Sequence, residues 1–125
     1  MTFDVFNCKS LFCFSVYTEN TGSTKPNYEL ELLKMVREKG ASIFGCDKAE
    51  VYGDVEASLG GGVMVEKVED VEHDFHFAKR KHAGTCINTG MYKQIWKALA
   101  QKGDYAAYDW TVKADADATI ILNVL

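Results

Sequence analysis

The amino-acid sequence predicts a layered α/β domain with a mostly parallel central sheet flanked by helices. Three observations point there. The run LFCFSVY, residues 11–17, is rich in aromatic and apolar residues, as in a buried strand. Two segments, NYELELLKMVREKG and NTGMYKQIWKALAQKG, carry apolar residues at helical spacing. The elements also alternate as strand, helix, strand, strand, helix, strand, the order that builds parallel strands joined by helical crossovers.

LFCFSVY is the first strand and opens into the polar loop TENTGSTKPN. After Pro26 the first helix sets Tyr28, Leu32, Met35 and Val36 on one face, with Asn27 as its N-cap and Gly40 as its stop. ASIFGCDKAEVYGD then holds two short apolar pieces, SIF and EVYG, split by a Gly-Cys-Asp-Lys turn, and the second is the better strand. SLGGGVMVEKVED reads as a glycine loop leading into a strand, where Val63 and Val65 alternate with Met64 and Glu66. VEHDFHFAKRKHAGTC lacks a clean period and is expected to be loop with a helical turn. The second helix places Met91, Ile95, Ala98 and Leu99 on one face and closes at Gly103. After the turn GDYAAYD, TVKADADATIIL is expected to be the last strand. With no internal repeat or low-complexity tract, residues 1–125 are expected to form a single domain.

Composition narrows the function classes. At 47% apolar and 26% charged with one proline, the chain has the profile of a folded domain and not of a linker. Its net charge of −4, with the two signs interspersed, gives no footprint for nucleic acid or anionic lipid. The runs LFCFSVY and ATIIL are too short to span a bilayer. MTFDVFNCKS has no basic region followed by an apolar one. A cytoplasmic location is expected if Met1 is the natural start, and the secretory pathway if a leader has been trimmed. Cys8, Cys13, Cys46 and Cys86 form no CxxC pair, so buried free thiols are the expectation, with disulfides the alternative that an even count leaves open.

One local pattern carries chemistry. Within DWTVKADADATIIL, Asp115 and Asp117 would share one face of a strand while Ala114, Ala116 and Ala118 share the other. Two carboxylates side by side repel, and a divalent cation removes the conflict by taking oxygen ligands from both. The alternative is a solvated strand end or turn. The triplet follows a β-type run, at the end of the strand where open α/β sheets gather ligands.

SIFGCDKAEVYGD followed by NTGMYKQIWKALAQKGDYAAYDWTVKADADATIIL resembles the uncharacterised glycosyltransferase-like proteins of unicellular algae, dinoflagellates especially. More widely it resembles the nucleotide-sugar-binding half of a GT-A glycosyltransferase. The match runs in order from about Leu11 to Leu125, with its distinctive residues in the last third. The resemblance implies a Rossmann-like nucleotide-diphospho-sugar-binding half-domain in which a strand leads into a DxD motif. That motif holds a manganese or magnesium ion bridging the diphosphate of a nucleotide sugar. Carried over residue by residue, Asp115 and Asp117 are the implied metal ligands, the second binding directly and the first more often reaching the sugar or ribose. By the same resemblance the first strand and its loop face the nucleotide, with Ser15, Val16 and Tyr17 as candidates and packing the better role for Val16.

Two departures from the family pattern bear on function. The chain ends eight residues after Asp117, so the domain is expected to be incomplete at its C-terminus and to lack acceptor-binding segments and a catalytic base. Ala114 and Ala116 are smaller than the residues usual there in the algal relatives, which predicts a weakened strand. The rival reading is a non-catalytic structural or interaction protein that keeps the α/β scaffold. A terminal apolar strand, ATIILNVL, left as an open edge would pair with a second copy or an assembly partner.

Other candidates are weaker. His73, Asp74 and His76, with His82 or Cys86, could offer imidazoles and a carboxylate to a metal, against the alternative of a polar loop. The run Lys79 to His82 suits a diphosphate or plain solvation. Gly60, Gly61 and Gly62 resemble a phosphate loop but lack any GxGxxG or Walker sequence, so a strand connection is the stronger reading. Trp96 is expected in the core and Trp110 beneath the triplet. No Ser/His/Asp or Cys/His signature supports hydrolase chemistry.

Overall fold

The computed structural model describes residues 9–19, 28–68, 76–77, 86–87 and 89–122. Its elements are β1 (Leu11–Tyr17), α1 (Glu29–Lys39), a 3-10 turn (Ser42–Gly45), β2 (Lys48–Gly53), β3 (Ala57–Gly60), β4 (Val63–Lys67), β5 (His76–Phe77), β6 (Cys86–Ile87), α2 (Thr89–Lys102), a second 3-10 turn (Asp104–Ala107) and β7 (Trp110–Lys113). Five strands form one sheet in the order β3-β4-β2-β1-β7. β1 is parallel to β2 and β7, β4 is parallel to β2, and β3 is antiparallel to β4. The chain is therefore an α/β protein with a mostly parallel sheet.

β1 explains why its sequence shows no alternation. Phe12, Phe14 and Val16 pack with Tyr52 and with Ile95 and Leu99 of α2. Cys13 and Tyr17 pack on the opposite face with Leu33 of α1, Val51 and Val65. A strand covered by helices on both faces reads as a near-continuous apolar run, interrupted here by the buried Ser15. Each fully buried Phe contributes roughly 1.5–3 kcal/mol relative to exposure. Phe14 meets Tyr52 and Trp96 edge-on, with ring centroids 6.0 and 5.0 Å away.

α1 carries Glu29 and Glu31 in its first turn and Arg37 and Lys39 in its last, matching the helix dipole. Gly40, at φ 60°, ends it in a left-handed cap, and the Ala41 N–H donates to the Val36 carbonyl at 2.9 Å. The buried stripe is Leu33 with Leu30 against it, while Tyr28 and Met35, expected on the apolar face, are exposed. The expected cap Asn27 lies outside the described residues. α2 buries Ile95 and Leu99 as expected and stops at Gly103, φ 78°.

Several expectations change. SIF forms a 3-10 turn, not strand. The glycine triplet connects strands as expected, here as the turn of a β3–β4 hairpin, with φ of 88°, 59° and 80° at Gly60, Gly61 and Gly62. The Arg37 side chain lies against this turn, its Nε donating to the Leu59 carbonyl at 2.8 Å, and a Cβ on Gly61 would come within 2.5 Å of Nη1. In the aperiodic segment after β4, His76 and Phe77 pair antiparallel with Ile87 and Cys86, so a two-stranded ladder stands where a helical turn was expected. Such a short ladder carries no period to detect.

Cys13 and Cys46, expected as free thiols, form a disulfide with a Cα separation of 6.1 Å. The 3-10 turn brings Cys46 back over β1 before β2 begins, a proximity that spacing alone does not reveal. Trp96 and Trp110 are 45% and 60% exposed, so neither is a core residue. Trp110 opens β7, at the opposite end of that strand from the aspartate triplet, and does not pack beneath it. The tail 118–122 is not a strand either. Its Ile120 packs on the α1 side, and Leu122 reaches Gly45, so the expected open edge of ATIILNVL is absent from its described part.

Candidate functional site

The path of the chain sets the geometry. From β1 the chain crosses through α1 to β2 on one side of the sheet, and it returns through α2 to β7 on the other side. Open α/β sheets bind ligands at the carboxyl ends of their strands. β1 and β7 are neighbouring parallel strands, in register from Leu11 opposite Trp110 to Phe14 opposite Lys113. One further ladder bond, from Ala114 N–H to the Phe14 carbonyl at 3.0 Å, delivers the triplet to this edge.

The strand stops at Lys113, earlier than expected, and the triplet occupies a turn closed by the Ala118 N–H donating to the Asp115 carbonyl at 2.9 Å. The expected split holds for residues 114–117 and fails at Ala118, which is exposed like the aspartates. Ala114 and Ala116 are buried among Tyr17, Leu33 and Ile43, while Asp115 and Asp117 are exposed. Beyond the turn, Ser42 clasps the chain: its hydroxyl donates to the Ala118 carbonyl at 3.5 Å and accepts from the Ile120 N–H at 3.3 Å. Ser42 takes a left-handed φ of 52° to do so, an uncommon conformation for a non-glycine residue.

Charge at this edge is uneven. Asp115 is ion-paired with Lys113, whose Nζ stands 4.6 Å from the Tyr92 ring centroid. On the α1 side, the Glu29 carboxyl is held above its ordinary value by partial burial first, then by the charges of Asp117 and Asp115. Burial also raises Tyr17, with further contributions from Glu19, Asp54, Glu31 and Glu29. Carboxylates thus ring the carboxyl end of β1.

Of the other candidates, Ser15 and Tyr17 lie in the core below the edge, 1% and 4% exposed. Ser15 faces the α1 side, and its Oγ has no hydrogen-bond partner among the described residues. The β1 exit is fixed by buried Asp54 at the end of β2, whose Oδ1 accepts from the Glu19 N–H at 2.9 Å. His73, Asp74, Lys79, Arg80 and His82 lie outside the described residues. Sequence reasoning passed over Lys113, Tyr92 and Glu29. The signal for Lys113 was its place two residues before Asp115 on a β-type run.

Among the described residues no group of three or more His, Cys, Asp or Glu could hold a metal ion. Cavities of about 500 and 510 Å³ open elsewhere, on either side of Lys102 and Glu66, and no residue of the triplet lines them. The chain matches no family model, no curated protein and no solved structure.

Proposed function

We propose that this chain is a glycosyltransferase-like, Rossmann-like half-domain that binds a nucleotide diphosphate sugar through a manganese or magnesium ion held by Asp115 and Asp117. The observation that carries the reading is the position of the exposed triplet at the carboxyl end of β7, beside β1, the end of an open α/β sheet where ligands gather. The donor chemistry fits. Carboxylate oxygens suit hard divalent cations, and magnesium is commonly held by one or two carboxylates with the remaining positions filled by substrate phosphates and water. Two aspartates without a third protein donor are therefore a sufficient protein contribution. The ion, when bound, would neutralise charge on the diphosphate. The chain's own part is to hold the two carboxylates at the sheet edge on a turn anchored at both ends. No residue is assigned to catalysis.

Calorimetric titration with uridine and guanosine diphosphates, with and without manganese, tests the reading on wild type, Asp115→Asn and Asp117→Asn. Saturable binding that needs both the metal and Asp117 is expected. Absence of binding in a protein that melts cooperatively would overturn it in favour of the rival, a structural or interaction protein. The rival draws support from cavities that lie away from the triplet.

A further inference from the structure

Lys113 is the last residue of β7, opposite Phe14, and like Phe14 it is directed to the α2 face, where its ammonium lies over the Tyr92 ring. Its side chain is 25% exposed, whereas that of its partner Asp115 is 60% exposed. The cation is therefore held inward by an aromatic face, and the carboxylate is presented outward. Across the triplet, on the α1 side, stands Glu29, whose carboxyl is raised first by partial burial and then by the charges of Asp117 and Asp115. The edge is polarised, with a cation towards α2 and carboxylates towards α1.

That polarity fits a ligand with two unlike parts. A divalent ion belongs on the carboxylate side. A diphosphate is repelled there unless the metal intervenes, and its remaining negative oxygens need a second cation. Lys113 is a cation already at the rim, held in place without a buried partner of its own.

We infer that Lys113 is the diphosphate contact of this site, with the Tyr92 ring as its positioning residue; the inference rests on the nucleotide-sugar reading above. In the unliganded protein the ammonium pairs with Asp115, and on binding it exchanges that carboxylate for a phosphate oxygen. The alternative, an ordinary exposed ion pair, contributes little to stability and nothing to ligand affinity.

The test separates metal from diphosphate. Manganese alone is titrated by electron paramagnetic resonance, and uridine diphosphate is titrated by calorimetry at saturating manganese, on wild type, Lys113→Met, Lys113→Arg and Tyr92→Leu. Lys113→Met is expected to bind manganese at least as tightly as wild type, because a positive charge beside Asp115 is gone. Its affinity for uridine diphosphate should fall about tenfold or more, the effect of one charge-assisted hydrogen bond. Lys113→Arg should restore binding to within a few-fold, and Tyr92→Leu should fall between. Unchanged diphosphate affinity in Lys113→Met, with a wild type that binds in a metal-dependent way, overturns the inference and leaves the nucleotide reading intact. Parallel loss of manganese and diphosphate also overturns it, by making Lys113 a support for the triplet. A wild type that binds manganese but no diphosphate overturns both.

Discussion

Reducing the Cys13–Cys46 disulfide perturbs a defined piece of the chain. The bond spans 33 residues and closes a loop that contains α1. In the loop-closure description, a cross-link over about 33 residues removes about 12.5 cal/mol/K from the unfolded chain, or about 3.7 kcal/mol at about 25 °C. Against an ordinary domain stability of about 5–15 kcal/mol, that is about a quarter to three quarters of the total. With about 3–5 °C per kcal/mol for a chain of this size, melting should fall by about 10–20 °C. The clean variant is Cys46→Ser, since Cys46 is half-buried and its loss leaves Cys13 as a buried thiol that packs like a small apolar group. Urea and thermal unfolding of wild type, with and without dithiothreitol, and of Cys46→Ser should give one oxidised curve and two coinciding weaker ones. Peptide mapping without reduction should recover Cys13 joined to Cys46. Equal midpoints in all three samples, or free thiols at both positions in air-oxidised protein, would refute the argument.

Three further outcomes are expected. Gly53→Ala should destabilise by about 1–3 kcal/mol, because its Cβ would come within 2.4 Å of the Tyr17 carbonyl oxygen and 2.8 Å of Val65 Cγ1; a urea midpoint equal to wild type would show that the sheet yields there at no cost. Lys102→Met should cost about 1–2 kcal/mol, since it leaves the Glu50 carboxylate, 9% exposed, beside Glu66 with only the Tyr52 hydroxyl and the more distant Lys48, at 4.0 Å, among its described partners; the figure is set below that of a fully buried pair because the Lys102 side chain is 37% exposed. Glu29→Gln should raise stability at neutral pH. The folded Glu29 holds its proton more tightly than the unfolded one, so stability declines as pH rises from the ordinary glutamate value through the raised one, and the two proteins should converge below that window. Parallel stability profiles from acid to neutral pH would remove Glu29 from the triplet's electrostatics.

What could be read from residues alone was what repeats along the chain. β1 and both helices announce themselves by composition and period, and the glycines at 40 and 103 end those helices where expected. The errors occur where non-local contact decides. ASLG is too short to mark β3, and only pairing with β4 makes it a strand. ATIIL looks like a strand by propensity, but the Ser42 hydroxyl captures its backbone and folds it over the 3-10 turn instead. Cys13 and Cys46 meet because of the turn between α1 and β2. At the site, the alternation separates buried Ala114 and Ala116 from exposed Asp115 and Asp117 but fails at Ala118, where the turn has replaced the strand. It could not reveal Tyr92 under Lys113, because those residues come together only when α2 packs on β7.

The Ser42 clasp bears on how the triplet can move. Before the turn, Ala114 is tied to Phe14; after it, Ala118 and Ile120 are tied to one hydroxyl. A span tied at both ends can change pitch but cannot retreat. Asp115 and Asp117 can swing about their side-chain torsions, while their α-carbons stay at the carboxyl edge of the sheet. Capture of a ligand here would not be a jaw closing around it. The aspartates would act as a fixed sill, and whatever travels must come to them.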